Sequence, residues 1–512
     1  MSEIEPVQET VVEPAVETTS PPSARAGRGA ALVGARIVSG TVGLAVAAVA
    51  ILGATFISLP GIQSTAPSVD VIPVPTAQLR VCAGGVLRLG DESGQDATNA
   101  TAIGRPVVEF RSTGDVDTAD LAQSDSPESS SRAAPTVLSA APGEADPNAA
   151  VLLAGSQSQL VNSGDFVGFA TAECTGAATD SWLVGGSAEV GRTTLITLAN
   201  PTEVVSEVTL EIFGADGAIA APGASGIVVQ PQSQRVLSLA SFAPGLASPV
   251  IHVTATGGAV VANLQQSVVR GLTTGGVDIV GATAAPAKSQ VIPGLTVLGS
   301  EDLESSLAQD GNEDLATSLR VYVPGDDAID EGSVGATVNI VSSDGVGTGA
   351  SFTADVEIGR VTEVPVEGLL DGTYTVTVSS SVPIVAGLRA STVAPAQGLL
   401  PATSDFAWLG ATTRLGGDTL LTVADGPQPV LHLSNPGAST ITVDVAELDG
   451  TSSTVTVSAR SSATTPVNPG SAYRLSGFSA LYAAVSFAAP GQLGGYGVQP
   501  PALSSSAVTI FP

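Results

Sequence analysis

An uncharged run of 23 residues, Ile37–Leu59, constrains this chain more than any other feature of its sequence. A helix of that length spans about 34 Å at about 1.5 Å per residue, which is enough to cross the hydrocarbon core of a bilayer. The nearest cations, Arg25, Arg28 and Arg36, all precede the run, and the next charge after it is Asp70. Because cytoplasmic flanks carry the excess of Arg and Lys, we expect a single-pass protein of the cell membrane, with its N-terminus cytoplasmic and its C-terminal ectodomain outside.

The same run has two interpretations, an uncleaved anchor and a cleaved signal peptide. A signal peptide usually has a shorter apolar region that is followed at once by a cleavage site of small residues. Here 36 residues precede the run, and Ile57–Pro60 offers no clear cleavage site. We therefore expect a transmembrane helix over 37–59 that acts as a signal-anchor. The preceding 1–36 is an acidic, proline-bearing tail that is predicted to be disordered.

The chain is strongly acidic, with 48 Asp and Glu against 18 Lys and Arg and a formal net charge of −30. Such a surface repels the phosphate backbone of nucleic acids, so a nucleic-acid partner is excluded. Charged residues make up only 13% of the chain, and small and β-branched residues are abundant. This composition favours short strands and turns over surface helices, and the predicted fold class is mainly β.

The two cysteines, Cys82 and Cys174, both follow the predicted span. An even number of cysteines in an oxidising compartment favours a disulfide. Buried free thiols or a metal pair are the alternatives, although two cysteines without a nearby histidine make a poor zinc site. We predict a Cys82–Cys174 disulfide that ties together the ends of an N-terminal β region, 60–179.

Within this N-terminal region, strands are predicted where apolar and β-branched residues cluster, at Ala77–Cys82, Arg105–Phe110 and Ala149–Ala154. Residues from about 111 to 148 are rich in Asp, Ser, Ala and Pro. This composition predicts a solvated, disordered loop.

After Cys174 the chain repeats a pattern of strand, turn, alternating strand and Asp-Gly. Two copies read TTLITLANPTEVVSEVTLEIFGADG and QPVLHLSNPGASTITVDVAELDG, and a weaker copy reads SLRVYVPGDDAIDEGSVGATVNIVSSDG. Asp-Gly supplies the positive φ that tight hairpin turns need. Two further strands are predicted after each copy: Val250–Thr254 and Ala259–Asn263, Thr373–Val378 and Pro383–Gly387, and Leu481–Ser486 and Leu493–Gly497.

Short strands at this spacing are typical of antiparallel β-sandwiches. We predict three sandwich modules, over 180–285, 290–397 and 405–512. The only helix-like stretch, Ser300–Leu319, is predicted to be an acidic insertion in the second module.

Residues able to carry chemistry are few. The two histidines, His252 and His432, each lie in mid-strand between apolar neighbours, which is more typical of a hydrogen-bonded strand residue than of a catalyst. The sequence has no G-x-S-x-G, Walker or H-E-x-x-H motif. We predict no enzyme, no catalytic residue, no cofactor and no metal site.

Two acidic clusters resemble calcium loops only in part. Asp310–Asp314 begins as D-x-N-x-D, but Leu315 and Val321 replace the Gly and Glu that an EF-hand needs at its sixth and twelfth positions. Asp326, Asp327, Asp330 and Glu331 form the second cluster. A solvated acidic loop is the favoured interpretation of both, and weak calcium binding is the alternative.

Aromatic and polar residues suggest few binding sites. Trp182 and Trp408 occupy comparable places, each just before the first strand of a module, which favours core packing over sugar stacking. Gln265, Gln266 and Arg270 follow a strand of the first module and are candidates for polar rim or binding groups.

Residues 174–285 resemble the DUF5719 family, uncharacterised actinobacterial proteins with a single span and an extracytoplasmic domain. The matching features are Cys174, the segment Trp182–Gly186, a TLxLxNP strand and turn, and the GGVD segment Gly275–Asp278. The resemblance implies membrane topology and a location in the envelope, and it carries no catalytic residues.

Together these features predict a membrane-anchored, extracytoplasmic cell-envelope protein with a structural or protein-interaction role. Its expected partners are the membrane, through one helix, and envelope proteins or cell-wall glycans. The alternative is a glycan-binding or accessory protein in cell-wall polysaccharide assembly. A third class, an enzyme, would need two carboxylates flanking a cleft, which the sequence does not identify.

Overall fold

The computed structural model describes residues 69–71, 77–90, 100–123, 133–141, 151–164, 166–325, 332–345, 347–396, 398, 402–501 and 508–510. The predicted tail at 1–36, the predicted span at 37–59 and the acidic cluster at 326–331 lie outside these residues. Searched over the described residues alone, the chain contains no helix that is both long and apolar enough to cross a bilayer. The anchor therefore stays a prediction.

The described residues form strands β1 to β35 with little helix, and the fold is mainly β with antiparallel sheets, as predicted. The first strand is β1 (Val69–Val71). The N-terminal region then contains β2 (Gln78–Val81), β3 (Leu87–Leu89), β4 (Ala100–Ala102), β5 (Val107–Ser112), β6 (Val116–Asp120), β7 (Ala122–Gln123), β8 (Thr136–Ala140), β9 (Leu153–Ser163) and β10 (Phe166–Glu173).

Three further groups of strands follow. Module 1 contains β11 (Asp180–Val184), β12 (Arg192–Asn200), β13 (Ser206–Gly214), β14 (Gly217–Ala218), β15 (Ile227–Val229), β16 (Ser233–Ser238), β17 (Val250–Gly257), β18 (Val261–Arg270) and β19 (Thr273–Gly281). Module 2 contains β20 (Ala287–Val297), β21 (Ser318–Tyr322), β22 (Ser333–Ser342), β23 (Ala350–Glu357), β24 (Val361–Pro365), β25 (Gly372–Ala394) and β26 (Thr403–Gly410).

Module 3 contains β27 (Thr419–Thr422), β28 (Val430–Asn435), β29 (Ile441–Glu447), β30 (Ser452–Val457), β31 (Ser461–Pro466), β32 (Ala472–Ser476), β33 (Tyr482–Ala489) and β34 (Gln492–Gly497). The last strand, β35 (Val508–Ile510), pairs with β1 in a two-stranded sheet. Helical segments with bounds inside the described residues include α1 (Ser300–Leu307) and the 3-10 turns Leu239–Ser241 and Glu313–Leu315.

Modules 1, 2 and 3 share one strand order in two antiparallel sheets. The first sheet runs β11-β17-β13-β15 in module 1, β20-β25-β22-β23 in module 2 and β27-β32-β29-β30 in module 3. The second runs β19-β18-β12-β16, β26-β25-β21-β24 and β34-β33-β28-β31. A buried apolar core is shared by the two sheets of each module. The N-terminal region follows a shorter version of this order, β2-β8-β6 with β10-β9-β5.

The last strands of these four parts contact one another in a closed cycle. Strand β10 packs on β19, β19 on β26, β26 on β34, and β34 again on β10. The ends of the cycle also meet, because the guanidinium of Arg80 donates to the carbonyl of Pro500 at 2.7 Å and the amide of Gln499 donates to the carboxylate of Glu173 at 3.0 Å. Residues 72–508 accordingly form one compact unit.

The repeated turn has the same physical basis in modules 1 and 3. The buried amides of Asn200 and Asn435 each donate to backbone carbonyls on both sides of the turn, and each side-chain oxygen accepts the amide two residues later. This Asx-type bonding explains the Asn-Pro signal. The turn passes the chain from one sheet of the module to the other.

The structure corrects the predicted equivalences between repeats. Residues 373–378 and 383–387 lie in one continuous strand, β25, instead of two separate strands. By strand order, the counterpart of β17 in module 3 is β32, whereas the predicted strand Leu481–Ser486 corresponds to β18. Strand β26 is the last strand of module 2, although the predicted boundary at 405 assigned most of it to module 3.

Three local predictions also need correction. Strands β6, β7 and β8 lie within the stretch 111–148 that was predicted to be a loop, and buried Leu121 and Leu138 hold it against apolar neighbours. Helix α1 ends at Leu307 instead of continuing to Leu319, and Gly311, with a φ of +88°, turns the chain after it. Gly217 and Gly345 have the positive φ expected of Asp-Gly turns, but Gly450 does not.

The predicted disulfide joins Cys82 and Cys174, and both cysteines are fully buried. Cys82 follows β2 and Cys174 follows β10, so the bond links the first and last strands of the N-terminal region. Leu138, Val151 and Leu153 surround it.

Candidate functional site

Asp405 connects all four last strands. Its carboxylate is fully buried on β26 and accepts the amides of Phe169 on β10 at 2.8 Å and Leu493 on β34 at 3.1 Å. The amide of Val277 on β19 completes the set at 3.3 Å. Burial, the largest influence, raises the pKa of Asp405 well above its usual value, although the backbone amides of Phe169, Leu493 and Phe406 act in the opposite direction. The position of this carboxylate makes it a structural group.

The GGVD segment that carries the family resemblance lies beside Asp405. A Cβ on Gly276 would lie 2.6 Å from Oδ1 of Asp405, and the φ of this glycine is +109°, so both space and backbone require Gly there. Asp278 accepts the backbone amide of Trp408 at 2.7 Å, which ties module 1 to β26. The motif therefore serves packing between modules.

Two further buried carboxyls have raised pKa values. Burial raises the pKa of Glu173 to about 8, with Arg80 acting against it, and burial likewise raises the pKa of Asp278 to about 8 against the amide of Trp408. Each has one oxygen without a partner among the described residues, Oε2 in Glu173 and Oδ1 in Asp278. Burial therefore favours the protonated form of both groups in the folded chain.

Stability should therefore fall as pH rises from 6.5 to 8.5. The folded state keeps protons on Glu173 and Asp278 that the unfolded chain, with pKa values near 4, has already released. Each group should lower the free energy of unfolding by up to about 1.4 kcal/mol per pH unit until pH passes about 8. His432, whose pKa burial lowers to about 4, affects stability only below its unfolded value near 6.5.

Urea unfolding at the two pH values is the measurement. An Asp278→Asn variant should show a smaller pH dependence, and an unchanged or rising midpoint would contradict the assignment.

Both histidines lie in strands and form hydrogen bonds, as predicted. The ring of His252 bonds Glu211 at 2.8 Å and Asp180 at 2.9 Å and stacks on Trp182, with 4.1 Å between ring centroids. Nε2 of the fully buried His432 bonds the hydroxyl of Ser486 at 2.7 Å. Burial closes this His–Ser pair to substrate.

Gln265 is a structural residue, contrary to its candidate status as a binding group. Its side chain is buried and bonds both the amide and the carbonyl of Leu87, at 2.7 and 2.6 Å, which fastens the N-terminal region to module 1. Gln266 is also buried and accepts the indole N–H of Trp408 at 2.7 Å.

The two tryptophans are buried, as expected for core packing, but their places are not equivalent. Trp182 lies on the first strand of module 1 and packs between modules 1 and 2, beside Phe213 and Tyr322. Trp408 lies on the last strand of module 2 and enters the core of module 1. The predicted correspondence between them is therefore wrong.

Arg270 is part of a cluster that the sequence did not predict. It forms a double hydrogen bond with Asp314, Nε to Oδ1 at 2.7 Å and Nη2 to Oδ2 at 2.8 Å. Arg192 lies 3.0 Å and Arg389 lies 3.3 Å from the same carboxylate. Three arginines from β12, β18 and β25 thus surround one aspartate of the acidic insertion.

Electrostatics in this cluster favour the ionised carboxylate. Burial acts to raise the pKa of Asp314, but the bond from Arg270 and the charges of Arg389, Arg270 and Arg192 outweigh it, so the pKa lies below its usual value. Because its carboxylate is paired with these arginines, Asp314 is not available as a calcium ligand. This argues against the calcium-loop interpretation of Asp310–Asp314. Within the described residues no group of three or more acidic, His or Cys side chains is arranged to hold a metal ion.

A fourth arginine, Arg320, lies next to the cluster and joins modules 1 and 2. Its guanidinium pairs with Glu363 at 2.6 Å and donates to the carbonyls of Gly186 and Pro249 at 3.1 and 2.9 Å. It also stacks over the Trp408 ring at 4.5 Å. Its donors are used within the protein, so Arg320 stabilises the contact between modules 1 and 2.

Two neighbouring cavities open on either side of the cluster. One, of about 490 Å³, is lined by charged groups of both signs and by Ser187 and Gln266; the arginines are Arg192, Arg320 and Arg389, and the carboxylates are Glu189, Glu313, Asp314 and Glu363. The other, of about 850 Å³, is lined by Arg270, Val190 and Gly271 among others. The first is the candidate binding site, because charged groups from both modules converge on it.

The sequence indicated Arg270 and the acidic segment as two unrelated candidates, and it did not indicate Arg192 or Arg389. Because cations are few in this acidic chain, each arginine is a candidate for a functional role. The pairing itself could not be read from the sequence, since Arg270 and Asp314 lie 44 positions apart and Arg389 lies 75 positions beyond Asp314.

The fold and the cluster define a mainly β protein of antiparallel sheets with one disulfide and an arginine-rich cleft between two modules. The chain belongs to DUF5719, described as a family of unknown function, whose model matches residues 125–477. The match includes the GGVD segment and all four arginines. No curated protein matches the sequence.

Proposed function

We propose that this protein is a membrane-anchored, extracytoplasmic cell-envelope protein with a structural or protein-interaction role and no catalytic activity. The anchor is the run at 37–59, and the β-sandwich modules follow it outside the cytoplasm. The disulfide supports this location, because such bonds persist in oxidising compartments.

Two exposed apolar side chains carry the interaction role. Val190 and Leu272 are 95% and 102% exposed, and they lie on neighbouring turns of module 1, where the amide of Val269 donates to the carbonyl of Gly191 at 2.8 Å. Exposed apolar side chains that are grouped on neighbouring turns are a feature of association surfaces. We propose that these turns contact an envelope protein.

Chemical cross-linking on intact membranes, followed by capture of the full chain, tests this proposal. A Val190→Asp/Leu272→Asp double variant should lose cross-linked envelope partners that the native chain recovers, by about tenfold. Val204→Asp is the matched control, because Val204 is 57% exposed and lies near Asn200, at the other end of β12. Equal recovery by the native chain and the double variant would contradict the proposed contact.

A second candidate function is binding of cell-wall glycan as an accessory of polysaccharide assembly. The cavity of about 490 Å³ favours it, because charged and amide side chains converge there from two modules. Its volume lies within the range of small-molecule sites, about 300–1,000 Å³. Trp408 is only 3% exposed, so sugar stacking on this ring is not part of the proposal.

A further inference from the structure

The arginine cluster has more guanidinium donors than the carboxylate of Asp314 can accept. Three guanidinium groups surround this single carboxylate, and Arg270 already occupies both of its oxygens. Arg192 and Arg389 each make only one contact with it, at 3.0 and 3.3 Å. Nη1 of Arg192 also donates to the carbonyl of Val190 at 3.0 Å, and the remaining donors of these two side chains are available to a ligand.

Arg389 is unusual among them because it is nearly buried, with a side chain that is 7% exposed. Its Nε has no hydrogen-bond partner among the described residues, and its guanidinium lies 4.5 Å over the ring of Phe406. Burial lowers the pKa of Arg389 to about 10, which leaves it charged at neutral pH. Asp314 already partners this cation, but a buried donor such as Nε that stays unpaired beside a cavity is costly unless an acceptor binds there.

The rest of the lining can bind neutral polar groups. Ser187, Gln266 and Glu189 contribute hydroxyl, amide and carboxylate groups to the same cavity. Guanidinium groups bind carboxylate and phosphate oxygens, whereas amides and carboxylates suit hydroxyl groups. The overall negative charge of the chain repels anions at long range, so recognition must depend on these local contacts.

We propose that the cavity between modules 1 and 2 binds an acidic sugar, with Arg192 and Arg389 donating to its carboxylate or phosphate group. Asp314 keeps its contacts with both guanidinium groups and fixes their positions. Ser187, Gln266 and Glu189 contact the sugar hydroxyls. This inference rests on the second proposed function, glycan binding, and it names the class of glycan unit.

Titration of the purified full-length chain with glucuronate, glucose 6-phosphate, glucose and inorganic phosphate, followed by calorimetry, tests the inference. We expect saturable binding of glucuronate or glucose 6-phosphate, with glucose at least about tenfold weaker because it lacks the charged group. The tighter of the two acids identifies the anionic group as carboxylate or phosphate.

Matched variants locate the site. Arg192→Gln and Arg389→Gln should each weaken binding of the acidic sugar by about tenfold or more. Arg360→Gln, at an exposed arginine paired with Glu357, should leave it unchanged. Arg192 is 19% exposed, so its variant is the one expected to stay folded, and a thermal unfolding curve for each variant checks this.

The outcomes separate the two levels of the proposal. Equal affinity for glucose and glucuronate would overturn recognition of the acid and leave glycan binding standing. Inorganic phosphate binding as tightly as glucose 6-phosphate, with no binding of glucuronate, would reduce the site to an anion site and overturn the sugar. Binding of none of the sugars would contradict both the inference and the glycan-binding function.

Discussion

Replacing Asp405 with alanine is expected to destabilise the folded chain by on the order of 5 kcal/mol. The carboxylate is the acceptor for amides of three other strands, Phe169, Val277 and Leu493, all within the buried centre of the β unit. Alanine would leave these donors without a partner, and an unpaired buried donor costs about 1–3 kcal/mol. Denaturant unfolding of the full-length chain measures the loss.

An Asp405→Asn variant should lose less, because its remaining oxygen can still accept the amides of Phe169 and Leu493. Asp418→Ala is the control, since Asp418 is a half-exposed residue paired with Arg474 and should cost less than about 1 kcal/mol. A similar midpoint for Asp405→Ala and Asp418→Ala would show that the four last strands do not depend on Asp405.

Removing the disulfide should have the second large effect, a loss of about 4–5 kcal/mol. Cys82 and Cys174 are 92 positions apart, and cross-linking a loop of that length lowers the entropy of the unfolded chain by about this amount in the chain-entropy model. A Cys82→Ala/Cys174→Ala variant avoids leaving a buried free thiol. Its unfolding midpoint in urea should lie well below that of the native chain.

Reduction of the native chain provides an independent comparison. Under a strong reductant its midpoint should shift toward that of the double alanine variant, and thiol titration should report two reactive groups only after unfolding, because both sulfurs are buried. Equal midpoints for the native chain and the variant would contradict a stabilising role for the bond.

Much of the fold class follows from local sequence. The Asn200 and Asn435 turns and the Asp-Gly hairpins at Gly217 and Gly345 depend on side-chain bonds and backbone angles within a few residues. Such interactions are present wherever the local pattern is, so the pattern predicts them. The single pair of cysteines beyond the predicted span likewise left one intramolecular pairing, and the structure contains it.

Predictions failed where a strand's neighbours decide its place. Residues 372–394 form one strand because β20 and β22 pair mainly with its first half, and β21 and β26 pair with its second half. The alternating pattern gives no sign of this change of partner. Strand β26 was assigned to the wrong module for the same reason, since Trp408 packs into module 1 while the strand pairs within module 2.

The sequence by itself determined the strand-rich class, the repeated turns, the cysteine pair and the acidic character of this protein. Tertiary structure decided the role of Asp405, which bonds Phe169 across 236 positions, and the gathering of Arg192, Arg270 and Arg389 around Asp314. The physical reason is the distance along the sequence over which each kind of interaction acts. Turn and strand signals act between near neighbours, whereas a buried carboxylate or an arginine cluster obtains its partners only when separate modules pack together.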